Sequence, residues 1–79
     1  MVLSYILITV NPNYESEVAN ELVRYEQVID IHLLFGQYDI IAKVKSDSEI
    51  ALKTFILNKV KKIPNLVSTY TLIVADKNR

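Results

Sequence analysis

The chain has 79 residues, no net charge, one Gly, two Pro and no Cys. Roughly two-thirds of the unfolded surface is all a chain this short can bury, so residues 1–79 read as one small domain with a thin core that association would supplement. Disulfides, thiolate metal ligands and a cysteine nucleophile are excluded, and with no apolar run near the roughly 20 residues of a membrane span and no signal-peptide pattern in "MVLSYILITV", a cytoplasmic protein without membrane contact is expected.

Residues 2–10, "VLSYILITV", are β-branched and aromatic and too short for an independent helix, which predicts a central strand apolar on both faces. In "NPNYESE", Asn and Pro open a helix, and Glu15 and Glu17 sit near its positive end. Tyr14, Val18, Leu22 and Tyr25 form a stripe that places the helix over about residues 14–26.

"VIDIHLLFGQYDIIAKVK" reads as two strands around a two-residue type II′ turn at Gly36–Gln37. That register sets Phe35 opposite Tyr38, Leu34 opposite Asp39, His32 opposite Ile41 and Asp30 opposite Lys43. One face then collects Ile29, Ile31, Leu33, Phe35, Tyr38, Ile40, Ala42 and Val44 and takes the helices. Val28, Asp30, His32, Leu34, Asp39, Ile41, Lys43 and Lys45 form a mixed opposite face, with Asp30 and Lys43 matched in charge.

"SDSE", Ser46 to Glu49, is a capping-box pattern that opens a second helix with Leu52, Phe55, Ile56, Val60 and Ile63 inward, and Pro64 ends it. "LVSTYTLIVA" is a fourth strand, followed by a short charged tail. The order βαββαβ leads to a ferredoxin-like α+β fold: a four-stranded antiparallel sheet, order 4-1-3-2, with both helices on one face. The other face would expose an apolar patch unless a second copy covered it, so a homodimer pairing sheet to sheet is expected.

Charge is segregated: residues 1–39 carry one Arg against six acids, and residues 40–79 carry eight basic residues against three acids. A basic half is compatible with nucleic acid, but these lysines lack the arginines and interleaved aromatics of a base-reading surface. An acidic first helix lying near a basic second helix, within the protomer or across an interface, accounts for the pattern.

His32 is the only histidine, and near Asp30 and Lys43 it could act as acid or base in a cavity beneath the sheet. No Ser, Cys or second His stands at an interpretable spacing, and one glycine cannot build a phosphate cradle, so no catalytic residue, metal or cofactor is expected. The five tyrosines read as packing residues, with the Tyr38 ring facing the helix layer. Thr69 and Thr71 present two hydroxyls to one side.

"GQYDIIAKV" followed by "SDSEIALKTFILNKVKKIPNLVSTYTLIV" resembles the RAM domain, the ligand-sensing C-terminal module of Lrp/AsnC-type transcription regulators. Its pattern is a glycine-x-tyrosine-aspartate turn, a helix with Phe and Lys ahead of a proline, and a threonine-x-threonine last strand. The resemblance implies dimers through facing sheets, an octamer-like ring of dimers, and an amino acid effector held at the interfaces of the ring. It assigns ligand contacts to Gly36, Gln37, Tyr38 and Asp39, and to Thr69 and Thr71. Family regulators carry an N-terminal helix-turn-helix, whereas Met1 here leads straight into the first strand. The expectation is therefore a stand-alone module that does not bind DNA directly and joins full-length regulators of its family. Two other readings stay open: a small dimeric-barrel enzyme using His32, and a structural interaction module in which Asp39 caps the turn or pairs with a lysine.

Overall fold

β1 (Val2–Val10), α1 (Glu15–Leu22), β2 (Val28–Leu33), β3 (Ile40–Ser46), α2 (Glu49–Asn58) and β4 (Leu66–Ile73) succeed one another, with a 3-10 turn at Val60–Lys62 after α2. This computed structural model describes residues 1–76; the end of the expected charged tail, residues 77–79, lies outside the described residues. All strand pairs are antiparallel and the sheet order is β2-β3-β1-β4, the expected ferredoxin-like order read from the other edge.

Burial alternates along β1 because successive side chains of a strand point to opposite faces. Ile6, Ile8 and Val10 join Ile40, Ala42 and Val44 of β3 beneath Val18 and Leu22 of α1 and Leu52, Phe55 and Ile56 of α2. Each fully buried aliphatic side chain contributes about 1.5–3 kcal/mol. The exposed Arg24–Glu21 pair, 3.2 Å apart, contributes at most about 1 kcal/mol, so apolar packing and not surface charge holds the helix layer down. Tyr25 meets Phe55 edge to face, with ring centroids 5.5 Å apart, and ties the end of the α1 segment to α2.

α1 is shorter than the predicted span. Val23 N–H still reaches Ala19 O, but Arg24 and Tyr25 donate to Glu21 O and Leu22 O three residues back, so the chain tightens out of the α-helix while Tyr25 keeps its place on the core. The cap of α2 also differs: Ser48, not Ser46, is the N-cap, its Oγ accepting the Ala51 N–H at 3.0 Å. Ser46 ends β3 opposite Val2, and its Oγ is buried without a hydrogen-bond partner among the described residues.

Two Pro-Asn turns close the same end of the sheet. Pro12 and Pro64 each precede an asparagine with positive φ, 75° at Asn13 and 71° at Asn65, and the turns close through Tyr14 N–H to Asn11 O and Leu66 N–H to Ile63 O. Proline followed by a residue at positive φ is the pattern of a type II turn, in which asparagine is tolerated. The two turns are laced together by Asn11 N–H to Asn65 O at 2.9 Å and Asn11 Nδ2 to Asn65 Oδ1 at 3.1 Å.

The β2–β3 register agrees with the expected pairing at Asp30–Lys43 and His32–Ile41. It shifts between Val28 and Asp30, which brings Val28 opposite Val44 and leaves Ile29 exposed. This local bulge exchanges the expected faces of Val28 and Ile29. The connection is also looser than a two-residue turn. The strands stop at Leu33 and Ile40, the final rung is Leu34 N–H to Asp39 O at 2.8 Å, and Gly36 has φ 140°, far from the roughly +60° of a type II′ turn. Phe35 accordingly points into solvent, 108% exposed, rather than joining the core face.

Candidate functional site

The loop 34–39 is built around Asp39. Its backbone N–H donates to Ile8 O at 2.9 Å, and its carboxylate Oδ2 accepts the Val10 N–H at 2.9 Å. Past Ile40, β3 no longer supplies a carbonyl to β1, so the carboxylate takes the place of the missing rung. A buried amide without a partner costs about 1–3 kcal/mol, which gives this acid a structural task at the mouth of the strand. Among the described residues no hydrogen bond engages the other carboxylate oxygen, Oδ1.

Tyr38 stands beside it in an unexpected direction. Its ring stacks on Tyr70, with centroids 6.5 Å apart and planes 21° apart. Tyr70 pairs with Leu7, whose side chain belongs to the face opposite the helices, so Tyr38 leans to the uncovered side and not to the helix layer. Gly36 and Gln37 are exposed at the tip. Four of the six expected ligand-contacting residues thus share one loop that is hydrogen-bonded to the end of β1 and stacked on Tyr70 of β4.

Thr69 and Thr71 lie elsewhere. They pair with Ile8 and Ile6, so their side chains share the helix-side face, half-buried along the outer edge of β4. Within one protomer the sheet separates their hydroxyls from the Tyr38–Tyr70 stack. The sequence did not single out Tyr70 for this site or the Val10 amide; the alternation in "STYT" carried a signal for Tyr70, since Thr69 and Tyr70 must face opposite ways.

The uncovered face carries Tyr5, Leu7, Ile41, Tyr70 and Leu72. A shallow hollow of about 190 Å³ there is lined by Tyr5, Asp30, His32, Ile41 and Lys43. His32 Nε2 stands 3.4 Å from Asp30 Oδ2, both side chains largely exposed. The expected Asp30–Lys43 match does not become an ion pair: Asp30 also accepts the N–H of Ile31, and Lys43 Nζ lies 6.0 Å from the centroid of the Tyr5 ring. Among the described residues no three His, Cys, Asp or Glu side chains are grouped to hold a metal ion. No described helix is long and apolar enough to cross a membrane.

The sequence pattern of the Lrp/AsnC ligand binding domain matches residues 3–77. The HTH-type transcriptional regulator FL11 of Pyrococcus abyssi is 35% identical over 72 residues, which cover 91% of this chain and 47% of that protein. The chain therefore spans about half the length of this curated relative. The crystal structure of FFRP-DM1 superposes with a TM-score of 0.91 at 33% identity, covering 95% of this chain and 100% of that one. A transcriptional regulator from Neisseria meningitidis, solved as an L-Met complex, shares the fold with a TM-score of 0.88 at 14% identity, covering 99% of this chain and 52% of that one. The loop-anchored sheet, the matched pattern and these likenesses agree, and the chain belongs to the Lrp/AsnC ligand-binding-domain family.

Proposed function

We propose that this chain is a non-catalytic amino acid sensor, a single cytoplasmic module that dimerises through its uncovered sheet face, assembles as a ring of dimers, and modulates Lrp/AsnC-type transcription regulation by joining full-length regulators. The observation that carries this reading is the arrangement of Asp39: one carboxylate oxygen is fixed by the Val10 amide, and the other has no hydrogen bond among the described residues. A carboxylate held in this way can accept an ammonium without first giving up rotamer freedom, which is the preorganisation a small-ligand site needs. Gly36 and Gln37 offer exposed backbone beside it, and Tyr38 offers a ring and a hydroxyl. Thr69 and Thr71 lie on the other side of the sheet, so they serve the ligand of a neighbouring protomer's loop rather than that of their own. The Neisseria meningitidis regulator of the same fold has L-Met as its ligand, which supports the choice of an amino acid.

A thermal-shift screen against the twenty amino acids tests this reading, because a ligand that binds only the folded state must raise the melting temperature. Stabilisation by one or a few of them supports the sensor. No response to any would favour the second reading that the Val10 contact itself suggests, an interaction module in which Asp39 has only its structural task.

A further inference from the structure

We propose that the hollow between β1, β2 and β3 on the uncovered face is a second small-ligand site, which takes a carboxylate with a small apolar body and is closed by the dimer; the closure rests on the dimerisation proposed above. Register builds the hollow. Asp30, Lys43 and Tyr5 stand side by side across three strands in one row, and His32, Ile41 and Leu7 in the next. Of these, all but Leu7 line a space of about 190 Å³. Sites for drug-sized ligands hold roughly 300–1,000 Å³, so the occupant is small.

The chemistry of the occupant follows from what the side chains leave unpaired. Asp30 is engaged at both carboxylate oxygens, Oδ1 by the Ile31 N–H at 2.9 Å and Oδ2 by His32 Nε2 at 3.4 Å. Half-buried Lys43 makes no ion pair among the described residues, and its Nζ stands 6.0 Å from the centroid of the Tyr5 ring, the outer limit of a cation–π contact. An ammonium has three donors and no acceptor, so it calls for an anion. The Tyr5 ring and Ile41 supply apolar walls for the body attached to that anion. One cation matches the single charge of a carboxylate, whereas the further oxygens of a phosphate would meet Ile41 and Asp30. Closure links the site to assembly. A second copy laid over Leu7, Ile41 and Tyr70 also removes Lys43 from water, and a buried charge without a partner is costly. A carboxylate in the hollow supplies that partner, so it binds the dimer better than the monomer and shifts the equilibrium towards the dimer.

Acetate, 3-methylbutanoate and benzoate are the probes, with 3-methylbutanamide as an uncharged control of the same shape, all at constant ionic strength. None carries an ammonium, so none has a claim on Asp39. Amide nuclear magnetic resonance locates the binding, and light scattering over a concentration series follows the dimer. The two carboxylates with an apolar body are expected to move the signals of Tyr5, His32, Ile41 and Lys43 and to hold the dimer to concentrations about tenfold lower. Both effects should disappear in Lys43→Met, which keeps the apolar stem, and persist in Lys43→Arg, which keeps the charge. No shift at the hollow with any probe, equal binding of the amide, or undiminished binding in Lys43→Met would each overturn the site. Shifts at the hollow with an unchanged dimer equilibrium refute the closure. A wild type that stays monomeric with and without the probes removes the dimer reading and the closure with it, while an amino acid response in the thermal screen would still support the Asp39 site.

Discussion

The carboxylate of Asp39 closes the open end of the β1–β3 ladder by accepting the Val10 N–H at 2.9 Å. The first prediction follows from this one bond. Asp39→Ala strands the amide of a buried residue and should cost about 1–3 kcal/mol in urea unfolding. Asp39→Asn keeps an acceptor oxygen of the same shape and should cost less than half as much. Equal losses in the two variants would show that the charge, and not the acceptor, supports the fold.

The two serines at the start of α2 should respond in opposite ways. Ser48 caps the helix by accepting the Ala51 N–H, and Ser48→Ala should cost about 1 kcal/mol. Ser46 Oγ is buried with no partner among the described residues, so Ser46→Ala removes an unsatisfied polar atom and should be neutral or stabilising. A larger loss at Ser46 than at Ser48 in urea titrations would return the cap to the position that the "SDSE" pattern suggested.

The element order and the sheet topology were legible because the period-two and helical stripes, Pro64 and the βαββαβ order all pointed the same way. The His32–Ile41 and Asp30–Lys43 pairings were read correctly, since the alternation of side chains across a hairpin fixes register. What failed was local. Ile29 is extruded by a bulge that no periodicity announces, and Phe35 looked like a core residue because hydrophobicity alone cannot tell an inward strand position from the tip of a loop. The Pro12–Asn13 and Pro64–Asn65 turns carry a legible proline-asparagine signal, but proline marks helix boundaries as well as turns, so the positive φ of the asparagines does not follow from the sequence alone. At the site, Gly36, Gln37, Tyr38 and Asp39 share a loop as expected; the acid's bond to a distant amide, and the faces of Thr69 and Tyr70, depended on long-range pairing.

The uncovered face predicts a dimer. Leu7 lies at its centre, between Ile41 on β3 and Tyr70 on β4. Multi-angle light scattering at micromolar concentration should give the mass of at least two chains for the wild type. Leu7→Glu, which places a charge where a second apolar sheet would sit, should yield a monomer. A wild type that stays monomeric would mean that this face is left to water.

Sequence-specific DNA binding by the 79-residue chain alone is not expected. α1 and α2 are separated by the β2–β3 hairpin and both commit their inner faces to the core, so the described residues contain no pair of helices joined by a short turn. Lys53, Lys59, Lys61 and Lys62 are exposed on α2 and the turn after it, which permits at most a weak, salt-sensitive attraction to phosphates. A sequence-dependent footprint from the purified chain would overturn this.

The assignment of the site rests on separating the charge of Asp39 from its structural bond, and the asparagine variant does so. If Asp39 receives the ammonium of an amino acid, Asp39→Asn retains the Val10 contact but loses the charge, and its amide can point donors at the cation. Affinity should then fall by roughly 1.5–3 kcal/mol, on the order of ten- to a hundredfold, while melting in the absence of ligand changes little. His32→Ala should spare binding, because the His32 side chain stands against Asp30 on the uncovered face and has no hydrogen bond to Asp39 among the described residues. Titration calorimetry, with whichever amino acid the thermal screen identifies, compares the three proteins directly. Undiminished affinity in Asp39→Asn would reduce Asp39 to its structural task, and loss confined to His32→Ala would move the ligand to the hollow between Tyr5, Ile41 and Lys43.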